Sequence, residues 1–297
     1  MCAYEVAKQS LPTYSSKFSP RFYSQPQLFT LLVLKQFFKT DYRGVIAIVE
    51  DSSDLKEALE LKDLPHYTTL QKATKRLLNA RKINKLLSKT LDISRKAGTI
   101  EECIVLSAMD STGMEAGHIS KYFVKRKQRE KQKKEYQITH YSRFPKLALV
   151  CDCASHVITG FLTGRGPSPD VIHFQKLLKK SSTYTQIQTV TADAGYDSES
   201  NHVFSREIMG VRSIINPKIG RPGKNLPTGT YRREMVTDFD KRLYGQRWQS
   251  KTVMFMLKKN FGEELSSQSY WAQCREMALK VLTHKPSLLM RGIRVFV

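Results

Sequence analysis

Acidic residues are scarce in this chain, and that shortage limits the functions it can have. The 297 residues include 27 Asp and Glu against 49 Lys and Arg, so the formal net charge is +22. A polyanionic partner is the simplest explanation for so large an excess, and nucleic acid is the commonest such partner. The alternative is a basic surface that is merely solvated.

Cysteines are also few, and their number is odd. The five show no disulfide framework, so we expect reduced thiols. Cys151 and Cys153 form a C-x-C pair near His140 and His156, but this spacing differs from that of usual zinc ligands. We interpret the pair as alternate residues of a strand, with a zinc site as the alternative.

Long hydrophobic runs are missing. Met1 to Ser19 contains no apolar segment of the kind found in secretory signals. The most apolar run, Leu28 to Phe38, falls short of the roughly 20 residues that cross a bilayer and contains Lys35. We therefore expect a cytoplasmic protein without a membrane span.

The first third of the chain predicts short helices. Residues 1–20 have the scattered Ser and Pro of a loose leader. Ser24-Gln25-Pro26 indicates one helix start and Asp51 to Asp54 a second, and a third helix with basic exposed sides is predicted from Leu70 to about Leu87. This pattern suits a helix-turn-helix-like DNA-binding region over residues 1–98. A plain helical bundle is the alternative.

Residues 99–297 predict an α/β domain. Apolar runs indicate strands at 104–109, 147–151, 157–162, 189–192 and 211–215. Helices are predicted from Asp170, from Ser198 to about Met209, from Tyr244 to Phe261 and from Tyr270 to Thr283, and residues 218–243 show no clear periodicity. The β-β-β-α-β-α-β-α order fits one mixed sheet flanked by helices.

Two aspartates follow predicted buried strands. Asp110 comes directly after the first strand and Asp193 after the fourth, and each is followed by a small or polar turn. If the two strands are neighbours, both carboxylates lie at one rim, where they suit Mg²⁺. Two such ions, about 4 Å apart, can drive phosphodiester chemistry. The alternative is that each Asp starts a turn or caps a helix.

Three motifs, in chain order, carry a family resemblance. They are Ala108-Met109-Asp110-Ser111-Thr112-Gly113, then Thr191 to Ser198 with Asp193 at its centre, then the segment from Tyr244 to Gly262. The last resembles the signature Tyr-x2-Arg-x3-Glu-x6-Lys, which Tyr244, Arg247 and Lys258 match. Together the motifs resemble those of the DDE-type transposases of insertion sequences.

The resemblance implies a fold, a reaction and partners. The fold would be a ribonuclease H-like mixed sheet preceded by an all-α region. Asp110 and Asp193 would hold two Mg²⁺ or Mn²⁺ ions for DNA cutting and joining, and Tyr244, Arg247 and Lys258 would hold DNA phosphates. The partners would be double-stranded DNA, both the terminal inverted repeats of the element and the target, and we expect a homodimer on that DNA.

One position departs from the signature. Lys251 stands where the family has its catalytic glutamate, and an ammonium group has no acceptor with which to coordinate a metal. At an effective dielectric near 20, two unit charges about 4 Å apart interact by about 4 kcal/mol, and a divalent ion doubles the repulsion. We therefore predict weak or absent catalysis, with Lys251 paired to Asp110 or Asp193. Glu234, Asp238 and Asp240 are candidate substitutes for the missing carboxylate.

The third motif also predicts one functional helix face. In a continuous helix, positions 244, 247, 251 and 258 fall within an arc of about 60°. A solvated basic helix face is the alternative. Two other functions compete with transposition: a DNA-binding protein without catalysis, which Lys251 favours, and a metal-dependent nuclease.

A basic strip lies between the first strand and the hairpin. Residues 121–135 contain eight Lys and Arg, among them Lys125, Arg126 and Lys127, against two Glu. We interpret the strip as a loop beside the site that binds DNA backbone without reading bases. A solvated run of charge is the alternative.

Overall fold

The N-terminal part is helical, as its sequence predicts. The computed structural model describes residues 2–116, 143–218 and 226–293, with side chains in the last range as far as residue 284. The helices of this part are α1 (Cys2–Ser10), α2 (Gln25–Phe37), α3 (Tyr42–Glu50), α4 (Ser53–Ala58), α5 (Tyr67–Leu77) and α6 (Ala80–Lys96).

Two predicted helix starts are confirmed by their caps. Ser24 precedes α2 in a capping box, in which its backbone N–H donates to Gln27 Oε1 at 2.8 Å and its hydroxyl accepts from the Gln27 N–H at 3.3 Å. Ser52 precedes α4, and its hydroxyl accepts from the Leu55 N–H at 3.3 Å. Each cap satisfies a backbone donor that the first helical turn leaves free.

Other parts of the helical prediction are wrong. The single helix expected from Leu70 to Leu87 is divided into α5 and α6, because Asn79 Oδ1 accepts from the Lys82 N–H at 3.0 Å and begins a new helix. The supposed loose leader contains α1, which buries Tyr4, Val6 and Ala7. Helix α3 was not predicted.

A five-stranded mixed sheet follows. Its strands are β1 (Cys103–Gly113), β3 (Phe144–Asp152), β4 (Ile158–Gly166), β5 (Gln186–Ala192) and β6 (Arg212–Ile215), and their spatial order is β4-β3-β1-β5-β6. Strand β3 runs antiparallel to β1 and β4, whereas β5 runs parallel to β1 and β6. This order with these directions is a ribonuclease H-like sheet, so the predicted fold class is confirmed. A short pair, β2 (Glu115–Ala116) and β7 (Glu264–Leu265), adds a second sheet.

Strand β1 is longer than predicted. The apolar run ends at Met109, but residues 110–113 remain paired with β3, with Asp110 opposite Leu149 and Gly113 opposite Lys146. The parallel pairing with β5 does end at Met109, opposite Ala192. The polar residues 110–113 therefore continue the strand, paired with β3 on one side only, and do not form a turn. The pattern of apolar residues in the sequence cannot distinguish these two structures.

The two faces of the sheet have different cover. The face that includes Ala108 and Leu149 belongs to a large core with the N-terminal and C-terminal helices, while Met109 and Val150 pack against Phe174 of α7 (Phe174–Ser182). Side chains alternate along β1, so Asp110 points to the first face and the next residue to the second. The large core contains residues from both sides of the expected 98/99 boundary, which itself stays a prediction.

The C-terminal helices also differ from expectation. After α8 (Glu199–Val203) and a π-helical turn (Phe204–Ile208), the supposedly irregular segment contains α9 (Thr230–Thr237). The helix predicted from Tyr244 to Phe261 is two helices, α10 (Lys241–Gly245) and α11 (Trp248–Phe261), and α12 spans Tyr270–Ile293 instead of ending at Thr283. Gly245, which has low helix propensity, lies at the break.

Two further observations concern composition. All five cysteines are free thiols, as expected. Among the described helices, none combines the length and the apolar character required to span a bilayer.

Candidate functional site

The pairing of β1 with β5 places two aspartates side by side. Met109 and Ala192 are the last paired residues of these parallel strands, so Asp110 and Asp193 follow at the same sheet edge. The Asp110 side chain is 16% exposed and that of Asp193 is 51% exposed. The two carboxylates therefore lie close together, as predicted. That of Asp110 is shielded and that of Asp193 is open to solvent.

An arginine lies against both carboxylates. Arg247, just before α11, has Nη1 3.8 Å from Asp110 Oδ2 and Nη2 3.9 Å from Asp193 Oδ1. Its side chain is as shielded as that of Asp110, at 16% exposed. We expected Arg247 to point toward DNA phosphates, but its guanidinium faces the aspartate pair.

Neighbouring polar groups hold Asp110 in place. The Ser111 backbone N–H donates to Asp110 Oδ1 at 2.8 Å. The buried hydroxyl of Ser250 donates to the Arg247 carbonyl oxygen at 2.7 Å and lies 3.5 Å from Asp110 Oδ2. No sequence pattern points to Ser250, because its position depends on how α11 packs across the sheet.

Burial controls the electrostatics of the site. Desolvation raises the pKa of Asp110, and it outweighs the opposing effects of the Ser111 hydrogen bond and of the positive charge on Arg247. Burial likewise raises the pKa of Tyr244. The Tyr244 ring centroid lies 5.5 Å from Arg247 Cζ and 4.9 Å from the ring of Phe239. Tyr244 therefore packs behind the arginine, on the side of α10.

Lys251 does not make the contact that we predicted for it. Its positive charge does act on Asp110, but no described carboxylate lies within 4.0 Å of its ammonium nitrogen, and the side chain is exposed. The prediction that Lys251 pairs with Asp110 or Asp193 is wrong, because Arg247 is the cation that reaches them. A lysine at this position can keep its ammonium group hydrated at the surface.

The prediction of one functional helix face is also wrong in part. The helix break assigns Tyr244 to α10, so only Lys251 and Lys258 of the four residues lie within α11. Lys258 forms an ion pair with Glu263, at the far end of the helix. The side chains exposed along α11 are Trp248, Lys251, Phe255 and Lys259. Lys125, Arg126 and Lys127 lie outside the described residues.

Two of the three candidate substitute carboxylates are engaged elsewhere. Glu234 pairs with Arg206 at 2.7 Å, and Asp240 lies 3.3 Å from Arg212 while also capping α10. Among the described residues, no group of three His, Cys, Asp or Glu side chains is arranged to hold a metal ion. Two carboxylates facing one guanidinium and a nearby lysine do not fit a two-ion site, because the acidic pair is already balanced by cations.

The second motif also has a structural role. The carboxylate of Asp197 is fully shielded and accepts from Arg232 Nη2 at 2.7 Å and from the Lys218 backbone N–H at 2.8 Å. Glu199 accepts from the backbone N–H groups of Tyr231 and Arg232, each at 3.0 Å. These two acids fix the start of α9 beside the site.

A further acid, Asp170, lies on the opposite face of the sheet. Asp170 was expected to cap a helix, but its Oδ1 accepts from Ser111 Oγ at 2.6 Å and pairs with Lys146 Nζ at 2.8 Å. Because Ser111 points away from Asp110, this acid belongs to a separate cluster behind β1.

Fold and site together define a class. A ribonuclease H-like sheet with aspartates at the adjoining ends of β1 and β5 is the framework of polynucleotidyl transferases. A family model described as "Transposase DDE domain" matches residues 101–284, which is well over half of the chain. The chain therefore belongs to the DDE transposase family.

Other comparisons add little to this assignment. The chain is 10% identical to the protein in "Crystal structure of the Mos1 mariner paired end complex with Mn", with a TM-score of 0.24 and coverage of 97% of this chain and 85% of that one. For "Crystal structure of a pre-cleavage Mos1 transpososome" the values are 10%, 0.22, 94% and 82%. Similarity this low carries no conclusion of its own. No curated protein matches the chain.

Proposed function

We propose that this chain is an insertion-sequence transposase that binds the terminal inverted repeats of its element but cuts and joins DNA weakly or not at all. The observation that carries the proposal is the charge balance at the aspartate pair. Asp110 and Asp193 face the guanidinium of Arg247, and the glutamate position of the signature holds Lys251. The guanidinium beside the carboxylate pair and the lysine in place of the glutamate both add positive charge, which opposes the entry of a divalent ion.

Several finer features belong to the same proposal. In the family, the residues that match Asp110 and Asp193 would hold two Mg²⁺ or Mn²⁺ ions, and in this chain the neighbouring cations oppose that role. Lys125, Arg126 and Lys127 would contact the DNA backbone, together with the helical region 1–98, and two copies would act on one DNA. The net charge of +22 supports a DNA partner.

The decisive experiment restores the missing carboxylate. Mg²⁺- and Mn²⁺-dependent cleavage of DNA carrying the gene's own flanking repeats is measured for the unaltered chain and for Lys251→Glu. Lys259→Glu is the matched control, since it makes the same charge change on the same exposed face of α11. Mn²⁺ affinity, measured by calorimetry, gives a readout that does not need turnover.

We expect only Lys251→Glu to cut DNA, and to bind Mn²⁺ at least about tenfold tighter than the other two proteins. All three should bind the repeats. If the unaltered chain cuts as well as Lys251→Glu, then Lys251 is not at the catalytic position and the proposal of impaired catalysis is wrong.

A DNA-binding protein with no catalytic role is the second candidate. It is favoured by the contact of Arg247 with both aspartates, which offsets part of the negative charge that would attract a divalent ion. It predicts that Lys251→Glu binds the repeats but does not cut them with either metal. Cleavage without preference for the repeats would instead indicate a nuclease outside transposition.

A further inference from the structure

The loop between α1 and α2 presents two phenylalanines to solvent. Phe18 is 84% exposed and Phe22 is 80% exposed, which are the highest values among the exposed large hydrophobic side chains of the described residues. Each ring forgoes the burial that ordinarily stabilises an aromatic side chain. Two such exposed rings, four residues apart on one loop, indicate a surface that binds a partner.

The residues that flank these rings along the chain are basic and not acidic, although Glu60 and Asp63 line the same pocket as Arg21 and Phe22. Each phenylalanine follows a cation, as Lys17-Phe18 and Arg21-Phe22, and no Asp or Glu occurs between Glu5 and Asp41. Lys17 Nζ lies 4.9 Å from the centroid of the Phe18 ring. The loop thus repeats one pattern, a positive charge beside an exposed flat ring.

Hydrogen bonds give the loop a defined shape. The Ser16 backbone N–H donates to Ser19 Oγ at 3.0 Å, which closes a turn around Phe18. At the C-terminal end, the Gln25 backbone N–H donates to the Thr13 carbonyl at 2.8 Å and Tyr23 Oη donates to the Leu64 carbonyl at 2.9 Å. The rings are therefore presented from an anchored loop.

We propose that this loop binds unpaired bases of a DNA strand, with Phe18 and Phe22 stacking on bases and Lys17 and Arg21 neutralising phosphates. Within a duplex the faces of the bases are covered by their neighbours, so exposed rings gain most from bases that are unstacked. A second copy of this chain is disfavoured as the partner of the loop, since a symmetric contact between two such loops would bring like charges together. The inference rests on the proposed DNA-binding function and adds a site to it.

The test compares two forms of one DNA. Fluorescence anisotropy measures binding of a labelled oligonucleotide of about 16 nucleotides, first single-stranded and then as a duplex. The proteins are the unaltered chain, Phe18→Ala/Phe22→Ala and the control Trp271→Ala, which removes an aromatic side chain that is 69% exposed on α12. Thermal unfolding checks that the variants fold, as substitution of exposed side chains should allow.

We expect the double phenylalanine variant to bind the single strand about tenfold or more weakly, because each stacked base contributes substantially to affinity. Its duplex affinity should change by less than about threefold, and Trp271→Ala should match the unaltered chain on both forms. Phe18→Leu/Phe22→Leu should behave like the alanine variant, since leucine is apolar but cannot stack.

Other outcomes separate the two proposals. If the unaltered chain binds both DNA forms and the double phenylalanine variant binds each of them as tightly as the unaltered chain does, the loop is not a base-binding site. The proposed function then still stands. Equal losses on both forms would also overturn base stacking. If the unaltered chain binds neither form of DNA, the proposed function fails together with the inference.

Discussion

At the scale of single residues, the site depends on which cation reaches the aspartates. Arg247 and Lys251 lie one helical turn apart, and from sequence either could pair with Asp110 or Asp193. The structure assigns the contact to Arg247, whose guanidinium spans both carboxylates, and leaves Lys251 in solvent. A planar fork can approach two acceptors at once, which a single ammonium group cannot do as readily.

A buried histidine makes the stability of the fold sensitive to acid. His202 is fully shielded, its Nδ1 lies 2.8 Å from Ser213 Oγ, and burial with the nearby Arg206 lowers its pKa to about 4. Asp197, Glu199 and Glu234 oppose that shift without overcoming it. Because the pKa in the folded chain is below the unfolded value near 6.5, the folded state resists protonation.

The sign of the pH effect follows from that difference. The unfolded chain takes up a proton first as pH falls below about 6.5, so stability is fully present above that pH and is lost down to about 4. We expect a loss of about 3 kcal/mol of unfolding free energy from this residue between pH 7 and pH 4. Urea unfolding at a series of pH values should show that His202→Asn loses less than the unaltered chain.

The matched control is His66→Asn, which replaces an exposed histidine. Its stability should follow the pH dependence of the unaltered chain. Equal acid sensitivity in His202→Asn and the unaltered chain would mean that other groups cause the whole effect.

At the scale of elements, the sequence located strands better than helix ends. Apolar runs identified all five strands of the large sheet, since burial on both faces gives a continuous signal. The break between α10 and α11 was missed because the segment contains no proline, and Gly245 alone is a weak sign of an interruption. The helix start at Asn79 was missed for a similar reason. A capping residue inside a segment with continuous helical periodicity cannot be recognised from sequence as the start of a new helix.

The start of α9 provides a test at this scale. Gly229 precedes the helix, and a Cβ at that position would collide with the carboxylate of Glu199. Gly229→Ala should therefore displace the acid that accepts from the Tyr231 and Arg232 N–H groups. We expect a loss of about 1–2 kcal/mol of unfolding free energy, the usual cost of a lost helix cap, measured by urea denaturation.

Gly245→Ala is the control for that substitution. No other group lies within 4 Å of the Cβ that it would add. It should leave stability within about 0.5 kcal/mol of the unaltered chain, as surface changes usually do. If the two variants are equally stable, the Glu199 contact does not support α9.

At the scale of the whole molecule, the predictable part of the site is the part built by neighbouring strands. The proximity of Asp110 and Asp193 could be predicted from sequence because neighbouring parallel strands end at the same edge of a sheet. The approach of Arg247 and Ser250 depends on how α11 crosses that sheet, and no local pattern records it. The same limit applies to Asp170, which reaches Ser111 only because side chains alternate along β1.

The net charge of +22 leads to a prediction for the whole chain. DNA binding should weaken steeply with salt, because each neutralised phosphate releases counterions. With six to ten phosphate contacts, affinity for a duplex should fall by about 10³ to 10⁵ between 50 and 200 mM salt. The measurement is a salt titration of duplex binding with the flanking repeats and with a scrambled sequence of the same length.

The two DNAs distinguish the sources of affinity. Phosphate contacts are made to any sequence, so both titrations should have similar slopes, and repeat recognition should appear as a constant offset between them. Lys251→Glu should reduce the slope by about one if the exposed ammonium of Lys251 contacts a phosphate. A shallow slope on both DNAs would mean that the excess charge is simply solvated, because a polyanion bound through these lysines and arginines cannot avoid displacing salt.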